Sequence, residues 1–424
     1  MNPARGRRIV AAAALGFTVA AQATLVSLAA GGSSTPPPTP VPPRGSPSPF
    51  VTQLRTPHDH LERPTIGAAG ALLADLDTRQ AMFAKSADVR RPVASLTKVM
   101  TALLVLERLQ LDDVVVVSPA AVFAGDDYGS SSSLGLRPGE RQTVRDLVYA
   151  LLLQSSNDAA EALSIEVSGS VDSFVGLMNR RAHALGMRDT RFFSPHGLDD
   201  RGHSTARDLL TLIEAAYDTQ GFAPIVATKF HRIPAPSGPA RIVQNRNVLL
   251  WLYPGAIGAK TGLTFGAGFC VIAVAEREGR RLVSIVLDGG AEPFSDAATL
   301  LDYGFDGFSE HVFLREGDLV GDVAIRGGTV PVVAGAEVAA LVPTRLLDGI
   351  VPTLSVAPKA AYPPPVGARM GTVAVTAHGV TFGSAPLLAT RVALPPPPDG
   401  GSWWSRAASA VGGAVLEVAA GLVG

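Results

Sequence analysis

The chain has 424 residues, 47% of them hydrophobic and 17% charged, with a formal net charge of −1 at pH 7. That length can bury a large core and divide into two domains plus tails. A balance so near neutrality gives no basic field to draw nucleic acid or another polyanion, and the single cysteine, Cys270, excludes an internal disulfide framework.

Residues 1–32, "MNPARGRRIVAAAALGFTVAAQATLVSLAAGG", place Arg5, Arg7 and Arg8 ahead of an uncharged stretch from Ile9 to Ala30. The pattern reads as a secretory signal with cleavage near Ala29 and Ala30, or as an uncleaved membrane anchor of spanning length. Either reading exports the rest of the chain. Residues 33–56 form a linker whose first part, "SSTPPPTPVPPRGSPSPF", has too much proline for a helix or a central strand, so an extended, semi-rigid spacer is expected.

Residues 57–310 mix strands and helices. "GAAGALLADLDTRQAMFAKSADV", from Gly67, predicts two apolar strands with a turn at Asp77–Arg79. "RPVASLTKVMTALLVLE", residues 91–107, predicts a helix with Ser95 near its start, and "RQTVRDLVYALLLQSSNDAAEALSIEVSGS" two helical stretches interrupted at "QSSND". "GAGFCVIAVAEREGRRLVSIVLDGG" predicts a hairpin with "EREG" at its tip, in which Cys270 is a buried small hydrophobe rather than a nucleophile. Strands flanking a helical block argue an α/β sandwich.

Residues 311–394 change texture to short valine-rich runs separated by Gly and Pro, which predicts a small all-β domain. It carries no cluster of acids, bases or ligands and reads as a spacer or protein-contact module. A Pro/Gly linker at 395–401 leads into "SWWSRAASAVGGAVLEVAAGLVG", 402–424. On a helix, Ser402, Arg406, Ser409, Gly413 and Glu417 fall along one stripe. A central ionisable group in hydrocarbon costs roughly 2.5–3.5 kcal/mol, and each Val or Leu returns only roughly 0.3–0.6. An interfacial amphipathic helix with Trp403 and Trp404 at headgroup level therefore fits better than a spanning helix or one packed on protein.

The chemistry lies at Ser95 and Lys98. Three apart on a helix, they share a face, so the ammonium can reach the hydroxyl, and unpaired N–H groups at the helix start favour developing negative charge on Ser95. A free lysine, with a pKa of about 10.4, is a poor base at neutral pH. Lowering it by about three units corresponds to roughly 4 kcal/mol, which apolar burial and a second cation can supply together. Two further motifs occur downstream: Ser155-Ser156-Asn157 in "LLLQSSNDAAEAL", at a break between helices, and Lys260-Thr261-Gly262 in "GAIGAKTGLTFGAG", at a strand edge. S-x-x-K, S-D-N and K-T-G in that order are the signature of penicillin-binding proteins and class A β-lactamases, with S-S-N standing in the middle here.

Over roughly residues 60–310 the chain resembles the D-alanyl-D-alanine carboxypeptidases of the low-molecular-mass penicillin-binding proteins. The resemblance extends beyond the three motifs to "HGLDDRGHSTARDLLTL", "QNRNVLL" and the segment running on from the K-T-G. It implies an α/β sandwich of the penicillin-binding protein/β-lactamase type, a mainly antiparallel sheet flanked by helices, followed by a small all-β domain. It further implies that Ser95 attacks the carbonyl of the penultimate D-alanine, that Lys98 takes the serine proton, and that Ser155, bridging Lys98 and Lys260, relays it to the leaving amine. Asn157 would hold the substrate's peptide amide and position Lys98. Lys260 would add positive potential, Thr261 would bind the terminal carboxylate beside Gly262, and backbone N–H groups of Ser95 and Leu263 would form the oxyanion hole. The implied partners are peptidoglycan stem peptides ending in D-Ala-D-Ala and β-lactams as covalent inhibitors, with no cofactor or metal. The implied location is extracytoplasmic, at the membrane, through the terminal segments.

Two departures stand out: Ser156 where the family often has glycine, and Leu263 where a larger side chain often follows the K-T-G. A class A β-lactamase would need a glutamate for rapid deacylation, and "MRDTRFFSPHGLDD", downstream of Asn157, offers none. Other readings are a D,D-endopeptidase or transpeptidase acting on cross-links, and a non-catalytic penicillin-sensing wall protein, although such proteins usually lose a catalytic side chain and all are present here. His58 and His60 in "PHDHLE" lack further spaced ligands and read as surface histidines. His196 and His203 flank a turn and read as structural.

Overall fold

In the computed structural model of the chain, residues 63–122, 132–325, 328–344, 350–356, 364–377 and 380–390 are described. The expected export segment at 1–32, the linkers at 33–56 and 395–401, the terminal helix at 402–424, and His58 and His60 lie outside the described residues. Among the described residues no helix is long and apolar enough to cross a membrane.

The apolar stretch after Gly67 folds as expected into strand β1 (Gly70–Asp75) and strand β2 (Ala81–Lys85). Two short ribbons come next, β3 (Val114–Val116) with β4 (Arg141–Thr143) and β5 (Phe230–Ile233) with β6 (Arg241–Gln244). Then come β7 (Ala256–Thr264), β8 (Gly268–Arg277) and β9 (Arg280–Leu287). The main sheet is antiparallel throughout, in the order β2-β1-β9-β8-β7, so β7 forms one edge.

Alternate residues of the central strands feed two separate cores, as the two-residue period of a strand requires. Leu72, Ile272 and Ile285 face the helical block, while Leu73, Val271 and Val286 pack with Leu300 and Leu301 of the helix Pro293–Gly307. With both faces covered, these strands read as continuous apolar runs rather than alternating ones. The β8–β9 connection is tighter than "EREG" suggests. Register persists to Arg277↔Arg280, and only Glu278 and Gly279, both at positive φ, make the turn, as a two-residue hairpin demands.

The helix Lys98–Leu106 is buried from Lys98 through Val105, so its apolar character reflects enclosure on all sides. The predicted interruption at "QSSND" has a definite form. The helix Val144–Tyr149 loosens into a π-helical turn, Ala150–Gln154, Ser155 takes a left-handed conformation (φ 67°), and a new helix runs from Asn157 to Ser168.

Further along the chain lie β10 (Phe308–Leu314), β11 (Leu319–Ile325), β12 (Gly328–Ala334), β13 (Val338–Pro343), β14 (Ile350–Val356), β15 (Arg369–Ala377) and β16 (Val380–Ala389). β10 pairs with β13, and the rest form a sheet in the order β11-β12-β16-β15-β14 around a separate core of Val330, Val332, Leu354, Met370 and Val373. The Gln80 side chain ties this region to the main sheet, donating to Leu341 O and accepting from Leu341 N. Arg280 donates to Gly304 O, Phe305 O and Phe308 O, which satisfies carbonyls that a helix C-terminus leaves without partners. Arg280→Met keeps most of the aliphatic stem but removes these donors, and should lower unfolding free energy by about 1–3 kcal/mol in urea denaturation. An unchanged midpoint would show that water serves those carbonyls equally well.

Candidate active site

Ser95 lies in a 3-10 turn, Ala94–Thr97, that runs directly into the helix beginning at Lys98. The turn starts from Ala94 at φ 47°, a left-handed position that a residue with a Cβ seldom adopts. Two glycines allow other segments to close on it. A Cβ on Gly197 would stand 1.9 Å from Ala94 O, and one on Gly262 of β7 would stand 2.9 Å from Ser95 N. Gly262 is therefore what lets the sheet edge approach the backbone of the serine turn.

Lys98 is fully buried, and its Nζ lies 2.8 Å from each of Ser95 Oγ, Asn157 Oδ1 and His196 O. Burial lowers its pKa well below the usual lysine value, and the positive charges of Lys260 and Arg246 lower it further, with Asp158 opposing. A neutral amine has two N–H groups and one lone pair. Asn157 Oδ1 and His196 O can only accept, so they take both N–H groups and leave the lone pair directed at the hydroxyl of Ser95.

Asn157 opens the helix Asn157–Ser168, and its N–H donates to Ser132 O at 2.8 Å. The next residue, Asp158, is buried and accepts from Ser133 Oγ, Leu134 N and Leu136 N, fixing the 132–136 segment beside the site. Ser155 and Ser156 are both buried, and neither hydroxyl has a hydrogen-bond partner among the described residues. The expected bridge from Ser155 to the two lysines is thus not made here: Lys260 Nζ donates to Thr261 O at 2.8 Å.

Lys260 is fully buried on β7, and its pKa is lowered to about 7, first by burial and then by Arg246. Thr261 is buried next to it, whereas Leu263 is 61% exposed. Arg246 itself donates to Ser132 Oγ at 2.8 Å. The three motifs therefore converge: Ser95, Lys98 and Asn157 by direct contact, Gly262 by backbone approach, and Lys260 through its charge.

Sequence reasoning missed three contributors. Arg246 stands in "QNRN", flanked by apolar runs. Asp158 adjoins the second motif. His196, read as structural, contributes a backbone carbonyl, for which residue identity carries no signal; its ring sits between Glu161 Oε1 at 3.4 Å and Ser194 Oγ at 3.3 Å, with its pKa lowered chiefly by burial. Cys270 is buried as expected, which pushes its thiol up to about 11.

Comparison with known proteins gives the chain its family. The family described as D-alanyl-D-alanine carboxypeptidase, Peptidase S11, matches residues 58–291. The D-alanyl-D-alanine carboxypeptidase DacB2 of Mycobacterium tuberculosis is 39% identical over 242 residues, 55% of this chain and 81% of that protein. Penicillin binding protein 5 from Haemophilus influenzae superposes with a TM-score of 0.64 at 27% identity, covering 78% of this chain and 98% of that one. The carboxypeptidase DacD from Francisella tularensis, at 24% identity, gives a TM-score of 0.67 over 80% of this chain and 98% of that one, a likeness of fold that takes in β strands beyond the main sheet. The α/β sandwich followed by a β-rich region is therefore the fold of penicillin-binding D,D-peptidases, and the chain belongs to the D-alanyl-D-alanine carboxypeptidase family, Peptidase S11.

Proposed function

We propose that this protein is a serine-type D,D-carboxypeptidase that removes the terminal D-alanine from peptidoglycan stem pentapeptides through an acyl-enzyme on Ser95. The observation that carries the mechanism is the three-way hold on Lys98 Nζ, which aims a lone pair at the Ser95 hydroxyl. As Ser95 Oγ bonds to the carbonyl carbon of the penultimate D-alanine, its proton passes to Lys98 Nζ. The N–H groups of Ser95 and Leu263 receive the developing oxyanion. When the C–N bond breaks, D-alanine departs as an amine, taking a proton relayed from Lys98 through Ser155, whose unpartnered hydroxyl is available for that step. Water then releases the shortened peptide, with Lys98 again as base. Thr261, with Lys260 and Arg246 behind it, receives the substrate's terminal carboxylate, and Asn157 holds the peptide amide.

A β-lactam presents the same acyl centre but its leaving amine stays tethered, so its acyl-enzyme turns over slowly. We assign residues 57–310 to catalysis and 311–394 to a β-rich domain. Action on peptidoglycan places the protein outside the cytoplasm, consistent with reading 1–32 as an export segment. We further propose that 402–424 attaches it to the membrane surface; its stripe of polar residues and paired tryptophans supports this.

Ser95→Ala should abolish both D-alanine release from a pentapeptide stem analogue and covalent penicillin labelling. Lys98→Ala should cut the rate of acylation by about 10²- to 10⁴-fold; any labelling of Ser95→Ala, or labelling of Lys98→Ala at the wild-type rate, would undercut the assignment.

The pH dependence is set by the two lysines. The base must be neutral, so kcat/KM rises with pH as Lys98 loses its proton. It falls again as Lys260, with its pKa near 7, loses the charge that holds the carboxylate. The two repel, so the limbs belong to the pair. Asn157→Asp puts an anion where Oδ1 stood, 2.8 Å from Nζ. That stabilises the ammonium and should move the rising limb to higher pH by at least about one unit. An unmoved limb would mean that Lys98 is not the group titrating there.

A further inference from the structure

The direction in which a substrate lies along β7 is set by the site. With the terminal carboxylate at Lys260 and Thr261 and the scissile carbonyl at Ser95 beside Gly262, the remaining peptide runs toward Leu263, Thr264 and the β7–β8 turn. Strand residues advance about 3.3 Å each, so Thr264 lies about 7 Å beyond Gly262. That is where the residue preceding the D-alanine pair arrives.

The turn there is unusual in three respects. Leu263 is 61% exposed and Phe265 is fully exposed, two large apolar side chains bordering the site. Thr264 Oγ1 donates to Asp200 Oδ1 at 2.7 Å and accepts from Ala267 N at 3.1 Å, which seats the carboxylate on the turn. Gly266 packs so closely against Asp200 that a Cβ would stand 2.4 Å from Oδ2. The neighbouring Asp199 is neutralised by Arg201, which also stacks on Phe193, whereas no cation is paired with Asp200 among the described residues.

We infer that Asp200, with the apolar lip of Leu263 and Phe265, selects stem peptides whose residue before D-Ala-D-Ala has an aliphatic side chain ending in an ammonium. Methylenes laid along Leu263 and Phe265 lose water contact, and the ammonium meets a carboxylate held in place by Thr264. The inference rests on the carboxypeptidase reading of the same site. It makes Asp200 a specificity-determining residue with no part in bond making.

The test compares kcat/KM for Nα-acetyl-L-lysyl-D-Ala-D-Ala and its Nα,Nε-diacetyl counterpart, peptides that differ in a single charge. The wild-type protein should favour the free amine by about fivefold at low salt, the upper end for a partly exposed ion pair. That preference should shrink toward one in about 0.5 M NaCl. Asp200→Asn, nearly isosteric and still able to accept from Thr264, should bring the ratio to near one. Equal handling of the two peptides by the wild type, or a preference that survives Asp200→Asn, would overturn the inference alone. Failure to release D-alanine from either peptide would sink the carboxypeptidase reading and this inference with it.

Discussion

The site depends on how one buried nitrogen is surrounded. Lys98 Nζ has three oxygen neighbours at the same distance, and only one of them, Ser95 Oγ, can give up a proton. An ammonium could satisfy all three as a donor, so geometry alone would permit the wrong protonation state. Burial and the nearby cations push the balance toward the neutral amine. Asn157 and His196 set the direction of the lone pair, and the apolar enclosure together with Lys260 and Arg246 frees it.

The surrounding architecture serves that arrangement. A fully enclosed helix removes the stem of Lys98 from bulk water. The π-turn and the left-handed Ser155 end one helix and start the next, so that Asn157 points back at the lysine while Asp158 holds the 132–136 segment from the other side. β7, at the sheet edge, leaves one side unpaired within the sheet, available to a peptide lying beside Ser95. The region from β10 onward is joined to the main sheet through Gln80 and Arg280, on elements that bear no site residue.

Much of this could be read from the residues. The Ser95–Lys98 pairing comes from helical spacing, the strands from their apolar runs, and the convergence of three distant motifs from a resemblance that carries geometry with it. What escaped depended on contacts that form only in the folded chain. No periodicity shows that Gly70 comes to lie opposite Leu287, or that a carbonyl at His196 faces Lys98. The π-turn is invisible for the same reason, since "YALLLQ" scans as ordinary helix and loosens only where the second motif must turn inward. Arg246 belongs to a segment that carries the family resemblance, yet its position beside the site, where its charge reaches Lys98 and Lys260, is a property of the β6–β7 path. The hairpin tip is narrower than its sequence suggests because its charged residues look like loop, although Arg277 and Arg280 are still paired.

The two glycines pressed against the serine turn divide the site by how freely it can change. At Gly197 and Gly262 any side chain would collide with the backbone that positions the nucleophile. One strand position beyond Gly262, the side chain of Leu263 projects into solvent, and the reacting atoms do not depend on it. Substitutions along that lip can alter which peptides are accepted while the reacting atoms stay where they are, so such a scaffold can diversify its diet of wall fragments without ever rebuilding its mechanism.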